Sequence, residues 1–180
     1  KSEGDGVGVL AGRGRNTLEA VQAEGAARIA RLAAAAGVDR MVHVSAIGAD
    51  KNAASDYAKT KAAGEAGVLA HMPNAMILRP SIIFGQEDEF FNRFAGMSRM
   101  GPVLPAVGAD TMFQPVYVDD VAAAAVMRVE GHAQGIYALG GPDVSSFRGL
   151  LETMLKVVRR RRPVPNIPVL CARSIAVGLS

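Results

Sequence analysis

The chain has 180 residues, of which 49% are hydrophobic and 21% charged, and its formal net charge is +3. This composition excludes a disordered chain, a collagen-like repeat and a disulfide scaffold, and the length suffices for about one to one and a half domains. The small net charge and the lack of tryptophan disfavour a nucleic-acid-binding surface. The single cysteine, Cys171, cannot form an internal disulfide.

Helical and strand patterns alternate along the chain. Apolar residues recur at helical spacing over 16–36, where Gly37 provides a stop, and a second helix over 55–72 is ended by Pro73. The predicted helices are 16–36, 55–72, 87–99, 119–128 and 145–160, and the predicted strands are 41–44, 75–78, 116–118 and 136–139. This order predicts the α/β class, with a parallel sheet and crossover helices.

Three side chains form the candidate site. Ser45 follows the first predicted strand, and Tyr57 and Lys61 lie four residues apart on one face of the next helix. A free tyrosine has a pKa of about 10, so it is a poor proton donor or acceptor at neutral pH. We expect the nearby ammonium to lower that pKa and the serine hydroxyl to bind a substrate oxygen at the strand end, where open α/β sheets bind ligands.

Five segments in this order resemble the short-chain dehydrogenase/reductase superfamily, in its extended, epimerase-like branch. They are VHVSAIG at 42–48, YAKTKAAGE at 57–65, ILRPSIIFG at 77–85, QPVYVDDV at 114–121 and YALGGP at 137–142. EFFNRFA at 89–95, together with the QPVYV run, is similar to the group related to a dinucleotide-binding accessory subunit of respiratory complex I (NADH:ubiquinone oxidoreductase). The resemblance implies the C-terminal half of a doubly wound, Rossmann-type parallel sheet with part of a small substrate-binding lobe.

The resemblance also implies roles for individual residues. Tyr57 would be the acid/base, Lys61 would bind the nicotinamide ribose, and Ser45 would orient a substrate carbonyl. The cofactor would be NAD or NADP, and no metal is expected. The nicotinamide would be lined, largely through backbone groups, by Pro80, Ser81, Ile82 and Ile83.

Two functions from different classes fit the resemblance. The first is an accessory subunit of complex I that binds dinucleotide structurally, has respiratory subunits as partners, and is peripheral at the cytoplasmic or matrix face of the energy-coupling membrane. The second is a catalytic NAD(P)-dependent oxidoreductase or sugar-nucleotide epimerase or dehydratase. The residues leave open whether the chain is an enzyme. The apolar stretch at 163–180 contains three prolines and Arg173, and it is too short to span a membrane.

The glycine-rich phosphate-binding turn is not identified in this chain. Gly6, Gly8 and Ala11 match its pattern, but we expect no strand before them. The resemblance instead implies that 7–10 is the end of the fourth strand of the family's sheet. The first βαβ unit is therefore expected to be absent, and dinucleotide binding by this chain alone to be weak or absent. The predicted domains are a partial binding domain at 1–130 and a partial lobe at 131–180, interleaved with 84–114.

Four other features have competing interpretations. Gln22 stands where many relatives have an asparagine that supports a water relay. The run at 159–162 consists of four arginines, which either cap a helix or contact a partner or an anionic lipid surface. His43 is expected in the core and His71 and His132 at the surface. Core packing is expected for Met97, Met100 and Met112, with a hydrophobic contact face as the alternative. Core packing is also expected for Phe90, Phe91 and Phe94, with a lid over substrate or a docking face for a partner as the alternative.

Overall fold

The structure is a computed structural model that describes residues 2–5 and 19–167. The chain forms two compact units, one comprising Lys1–Ser81 and Val118–Gly140, the other Ile82–Tyr117 and Gly141–Ser180. The predictions for residues 6–11 and 16–18, including the strand at 7–10, lie outside the described residues.

The first unit contains a four-stranded parallel sheet. Its strands are β1 (Ser2–Asp5), β2 (Arg40–Val44), β3 (Met76–Pro80) and β8 (Gly135–Leu139), in the order β1-β2-β3-β8. The register pairs His43 of β2 with Ile77 of β3. The expectation that no strand precedes Gly6 is wrong, because the polar segment Ser2–Asp5 pairs with β2 along its whole length.

Three helices accompany this sheet: α1 (Ala26–Ala35), α2 (Asp56–His71) and α4 (Val118–Val129). Met41 of β2 and Ile77 of β3 pack with residues of α1 and α2 in one buried cluster. Val42 and Leu78 are also buried, and they face the opposite side because side chains alternate along a strand. Since α4 contacts β2 and β3, the sheet is covered on both faces, and the predicted doubly wound architecture is confirmed.

The helix predicted over 16–36 differs from expectation at its start. Its first described part, Glu19–Gly25, is a π-helical segment that continues directly into α1. Its end is as predicted: Gly37 has a positive φ of 70°, and the Val38 N–H donates to the Ala33 carbonyl in the manner of a Schellman stop.

The second unit is built around α3 (Glu89–Met100) and α5 (Phe147–Val157), which pack against each other. Asp88 caps α3 by accepting a hydrogen bond from Phe91 N, and Ser146 caps α5 by accepting one from Gly149 N. Short strands pair within this unit, β4 (Ile83–Phe84) with β7 (Val116–Tyr117) and β5 (Ala106–Val107) with β10 (Asn166–Ile167). A further pair joins β6 (Met112–Phe113) to β9 (Ser145–Ser146).

Aromatic rings form the core of the second unit. Phe90 and Phe94 of α3 make ring contacts with Phe147 of α5 at centroid distances of 5.8 and 5.3 Å, and Phe91 contacts Phe90. The predicted core role of these phenylalanines is therefore confirmed. Met97 packs against the same core, but Met100 and Met112 are exposed, so the expectation for those two methionines is wrong.

Candidate functional site

The candidate site lies at the carboxyl end of β2 and the start of α2. Ser45 is the first residue after β2, and its backbone N–H donates to the carbonyl of Leu78 on β3 at 2.7 Å. Tyr57 and Lys61 lie in the first two turns of α2, on the same helix face. The sheet thus presents all three residues at the edge where parallel sheets bind ligands.

Lys61 connects the strand end to the phenol. Its side chain is buried, with 7% exposure, and Nζ donates to the carbonyl of Val44 at 3.4 Å. Nζ also lies 5.9 Å from the centroid of the Tyr57 ring. The ammonium therefore contacts the residue before Ser45 and the neighbouring phenol ring at the same time.

Ser45 is a buried hydroxyl with no partner among the described residues. It is 4% exposed, and its Oγ makes no hydrogen bond within the described part of the chain. Such a group costs about 1–3 kcal/mol when it is left unsatisfied. A site that binds a polar ligand atom accounts for that cost, because the ligand supplies the missing hydrogen bond.

The structure corrects the electrostatic expectation for Tyr57. Burial of the phenol raises the pKa of Tyr57 above its ordinary value of 10.0. The prediction that Lys61 lowers the pKa is therefore wrong for this chain, because burial of the phenol disfavours the charged phenolate and raises the pKa instead. The phenol is protonated at neutral pH.

The chain leaves β3 at Pro80 and Ser81, next to the carboxyl end of β2. The Pro80 carbonyl accepts a hydrogen bond from Ile47 N at 2.9 Å, and Ser81 N donates to Leu139 O at 2.8 Å. Ile82 and Ile83 begin the second unit, where the Ile82 carbonyl accepts a hydrogen bond from Val116 N. These backbone groups are thus engaged within the protein, which restricts how the segment can contact a ligand through its main chain.

Sequence reasoning missed a buried polar contact behind α2. Thr60 Oγ1 donates a hydrogen bond to Gln22 Oε1 at 2.9 Å, and both side chains are buried. Gln22 lies in the π-helical segment, a helix type that often occurs at functional sites. The glutamine side chain therefore reaches across to α2, and the signal in the sequence was the departure from asparagine at this position.

A second missed feature is a cavity of about 620 Å³ within the second unit. Its walls are largely apolar and come from one face of α3, from α5 and from the segments around Phe84 and Pro142. Among its polar lining residues, Asp88 and Asn92 already bond to neighbouring backbone atoms. Within residues 2–5 and 19–167, no three His, Cys, Asp or Glu side chains are grouped as a metal site.

The histidines follow the sequence expectations. His43 is buried in β2, and His71 and His132 are exposed. His132 Nε2 lies 3.7 Å from a carboxylate oxygen of Glu130.

The parallel sheet covered by helices, with Ser45, Tyr57 and Lys61 near its carboxyl edge, defines an α/β protein of the short-chain dehydrogenase/reductase type. The family model "RmlD substrate binding domain" matches residues 11–167, and the chain belongs to that family.

Two curated relatives and one solved structure show the range of similar proteins. The mitochondrial NADH dehydrogenase [ubiquinone] 1 alpha subcomplex subunit 9 of Arabidopsis thaliana is 38% identical over 78% of this chain and 36% of its own length. Its Dictyostelium discoideum counterpart is 30% identical over 89% of this chain and 46% of its own length. A dTDP-4-dehydrorhamnose reductase from Bacillus anthracis, solved in complex with NADP, has a TM-score of 0.77 at 15% identity, covering 93% of this chain and 66% of that one.

These comparisons confirm the resemblance to complex I accessory subunits and to the extended short-chain dehydrogenase/reductase fold. The chain spans less than half the length of the two curated relatives. No helix among the described residues is both long and apolar enough to cross a lipid bilayer.

Proposed function

We propose that this chain is the dinucleotide-site region of a complex I accessory subunit of the subunit 9 type, in which NAD or NADP is a structural ligand. The observation that carries the proposal is the buried Lys61 ammonium, which contacts the carboxyl end of β2 and lies beside the Tyr57 ring. The similarity to the two subunit 9 proteins supports the assignment to this type of subunit.

The residues present fit such a ligand. The Ser45 hydroxyl, which has no partner in residues 2–5 and 19–167, can hydrogen-bond to a polar ligand atom, and the Lys61 ammonium can donate to ribose hydroxyls. Pro80, Ser81, Ile82 and Ile83 would line the nicotinamide. A bound NAD(P) supplies a group that can accept or donate a hydride. The protein residues bind and orient that group.

The Tyr57 side chain is suited to binding, because burial raises the pKa of its phenol and keeps the hydroxyl protonated at neutral pH. The phenol can still donate one hydrogen bond to a ligand. The retained set of Ser45, Tyr57 and Lys61 favours a second candidate, a catalytic NAD(P)-dependent oxidoreductase or sugar-nucleotide epimerase or dehydratase.

The proposal also assigns the protein's partners, its location in the cell and its domain boundaries. The partners would be other subunits of the respiratory complex, and the protein would be peripheral at the cytoplasmic or matrix face of the energy-coupling membrane. The binding domain would extend over 1–130, and the lobe over 131–180 together with 84–114.

The test replaces the two ligand-contacting side chains separately in the protein as it occurs in the cell. Tyr57→Phe should leave two quantities unchanged. The first is the amount of co-purifying NAD(P), measured by chromatography of the denatured protein. The second is incorporation into the respiratory complex, measured on native gels. Lys61→Met should lower the dinucleotide content at least tenfold, because it removes a buried cation that donates hydrogen bonds.

Lys59→Met is the matched control, since Lys59 is an exposed cation on the same helix that pairs with Asp56 at its surface. It should change neither the dinucleotide content nor the assembly. Turnover on a panel of carbonyl and sugar-nucleotide substrates that Tyr57→Phe abolishes would refute the structural role and establish the catalytic candidate. Unchanged dinucleotide content in Lys61→Met would refute the site itself.

A further inference from the structure

A basic surface forms where α3 and α5 end in the second unit. The Arg162 Nε donates to the carbonyl of Ser98 near the end of α3, at 3.3 Å, and Leu104 N donates to the carbonyl of Pro163 at 3.0 Å. These bonds bring the arginine run after α5 beside the chain that follows α3. The cations in this place are Arg99, Lys156, Arg159, Arg160, Arg161 and Arg162.

The two segments that form this surface contain no acidic residues that could pair with its cations. Neither 98–109 nor 153–165 contains an aspartate or a glutamate, and the acid that follows the first segment, Asp110, already pairs with Arg148 at 3.6 Å. The ends of two helices carry about half a negative charge each. The two helix ends together therefore carry about one negative charge, which is much less than the positive charge of this group of cations. Favourable interaction with the helix dipoles explains only a small part of the positive charge in the cluster.

The backbone conformation of Arg159 is a second indication that the arginine run does more than end α5. Its φ is +55°, the left-handed conformation in which glycine is the usual residue after a helix. An arginine in this position is strained where a glycine is not, so helix termination alone favours glycine. The stability of α5 therefore does not account for the charge at this position.

Exposed apolar side chains lie among the cations. Met100, at the end of α3, is 83% exposed, and Val157, at the end of α5, is 76% exposed. Val103, in the segment beside Pro163, is 45% exposed. Basic residues combined with protruding apolar side chains are typical of surfaces that bind an anionic bilayer, where the cations contact the headgroups and the apolar groups enter the interface.

We infer that this surface, formed by 98–103 and 156–162, binds the anionic phospholipid face of a membrane peripherally. The charge complementarity favours an anionic partner, and the exposed methionine and valines favour a bilayer over a purely polar polyanion. The inference is independent of the dinucleotide site, because that site's Ser45, Tyr57 and Lys61 belong to the first unit. The membrane-binding inference and the proposed dinucleotide site can therefore be refuted separately.

The test measures sedimentation of the intact chain with vesicles. We expect binding to vesicles of phosphatidylcholine and phosphatidylglycerol mixed two to one, and no binding to pure phosphatidylcholine. Binding should be lost at an ionic strength of about 0.5 M, because salt screens the attraction. Each cation near the surface contributes about a fivefold change in affinity, so Arg159→Gly should weaken binding about fivefold, and Arg159→Gly with Arg161→Gln roughly 30-fold.

Stability separates this role from a structural one. Because glycine relieves the left-handed backbone, Arg159→Gly should keep or raise the melting temperature while vesicle affinity falls. The control Arg28→Gln with Arg31→Gln removes two exposed cations of α1 and should change affinity less than twofold. Met100→Gln with Val157→Gln should weaken binding several-fold without a change in charge.

Three outcomes would overturn the inference. They are wild-type affinity in the variant that lacks both arginines, equal binding to neutral vesicles, and binding to a short single-stranded RNA without binding to anionic vesicles. The last outcome would assign the surface to nucleic acid.

Discussion

The ion pair between Glu65 of α2 and Arg79 of β3 offers a quantitative test of how the site helix is fixed to the sheet. Arg79 Nε donates to Glu65 Oε1 at 2.8 Å, and Nη2 donates to Oε2 at 2.6 Å. The Glu65 side chain is 5% exposed and that of Arg79 31%. The hydrogen bonds to Glu65 raise the pKa of Arg79, so the guanidinium stays charged at all working pH values.

The perturbation is Arg79→Met, which leaves a buried carboxylate without its cation. Breaking a buried pair from one side costs about 3–5 kcal/mol. We expect the lower end, about 3 kcal/mol, because the partly exposed Arg79 position lets water reach the vacated oxygens. The double replacement Glu65→Met with Arg79→Met should recover most of this loss, since no charge then remains buried.

Urea denaturation followed by circular dichroism measures both effects. With a dependence of about 1–3 kcal/mol per molar urea, Arg79→Met should lower the midpoint by about 1–3 M. Arg31→Met serves as the control, because Arg31 is exposed on α1. A midpoint in Arg79→Met equal to that of the control, or a double variant as unstable as the single one, would refute the reasoning.

Two further predictions concern α2. Gly64→Ala should destabilise the chain by about 1–3 kcal/mol in urea titrations, because the new Cβ would lie 2.2 Å from the backbone oxygen of Gln22. Gly96→Ala on α3 meets no atom within 4 Å and should stabilise by about 0.5–1 kcal/mol, so equal effects of the two would contradict the packing argument. Ultraviolet absorbance of the phenolate, compared with that of Tyr57→Phe, should show the Tyr57 phenol ionising above pH 10.0; a transition below that value would disprove the dominance of burial. Because the pKa of Tyr57 is higher in the folded than in the unfolded chain, its contribution to the free energy of unfolding is fully present below the unfolded pKa of about 10. This contribution is lost as the pH rises through the folded pKa. Tyr57→Phe should remove this pH-dependent loss of stability.

Patterns local to the chain account for the elements that the sequence predicted well. The helix predicted over 55–72 is α2, Asp56–His71, and the strand predicted over 41–44 is β2, Arg40–Val44. Both have a periodic or continuous apolar pattern, and both end at residues with definite backbone preferences. Such signals depend only on neighbours within a few residues.

The strand predicted over 116–118 is β7, Val116–Tyr117, but the other paired two-residue strands escaped sequence reasoning because their signal lies in distant partners. Ile83–Phe84 forms a strand only by pairing with Val116–Tyr117, and Ala106–Val107 pairs with the remote segment Asn166–Ile167. The polar strand Ser2–Asp5 was missed for the same reason, since pairing with β2 rather than its own composition defines it. Backbone hydrogen bonding between remote segments leaves no periodic trace in the sequence.

The amino-acid sequence alone determined the types of residue at the candidate site, their order and the α/β class, because helix and strand periodicity and the spacing of Tyr57 and Lys61 are local properties. Only the tertiary structure decided their electrostatic state. Burial of the phenol raises the Tyr57 pKa, the Ser45 hydroxyl has no hydrogen-bond partner among the described residues, and Gln22 reaches Thr60 on another helix. Desolvation and hydrogen bonding depend on which atoms surround a group, and those atoms come from segments that folding brings together.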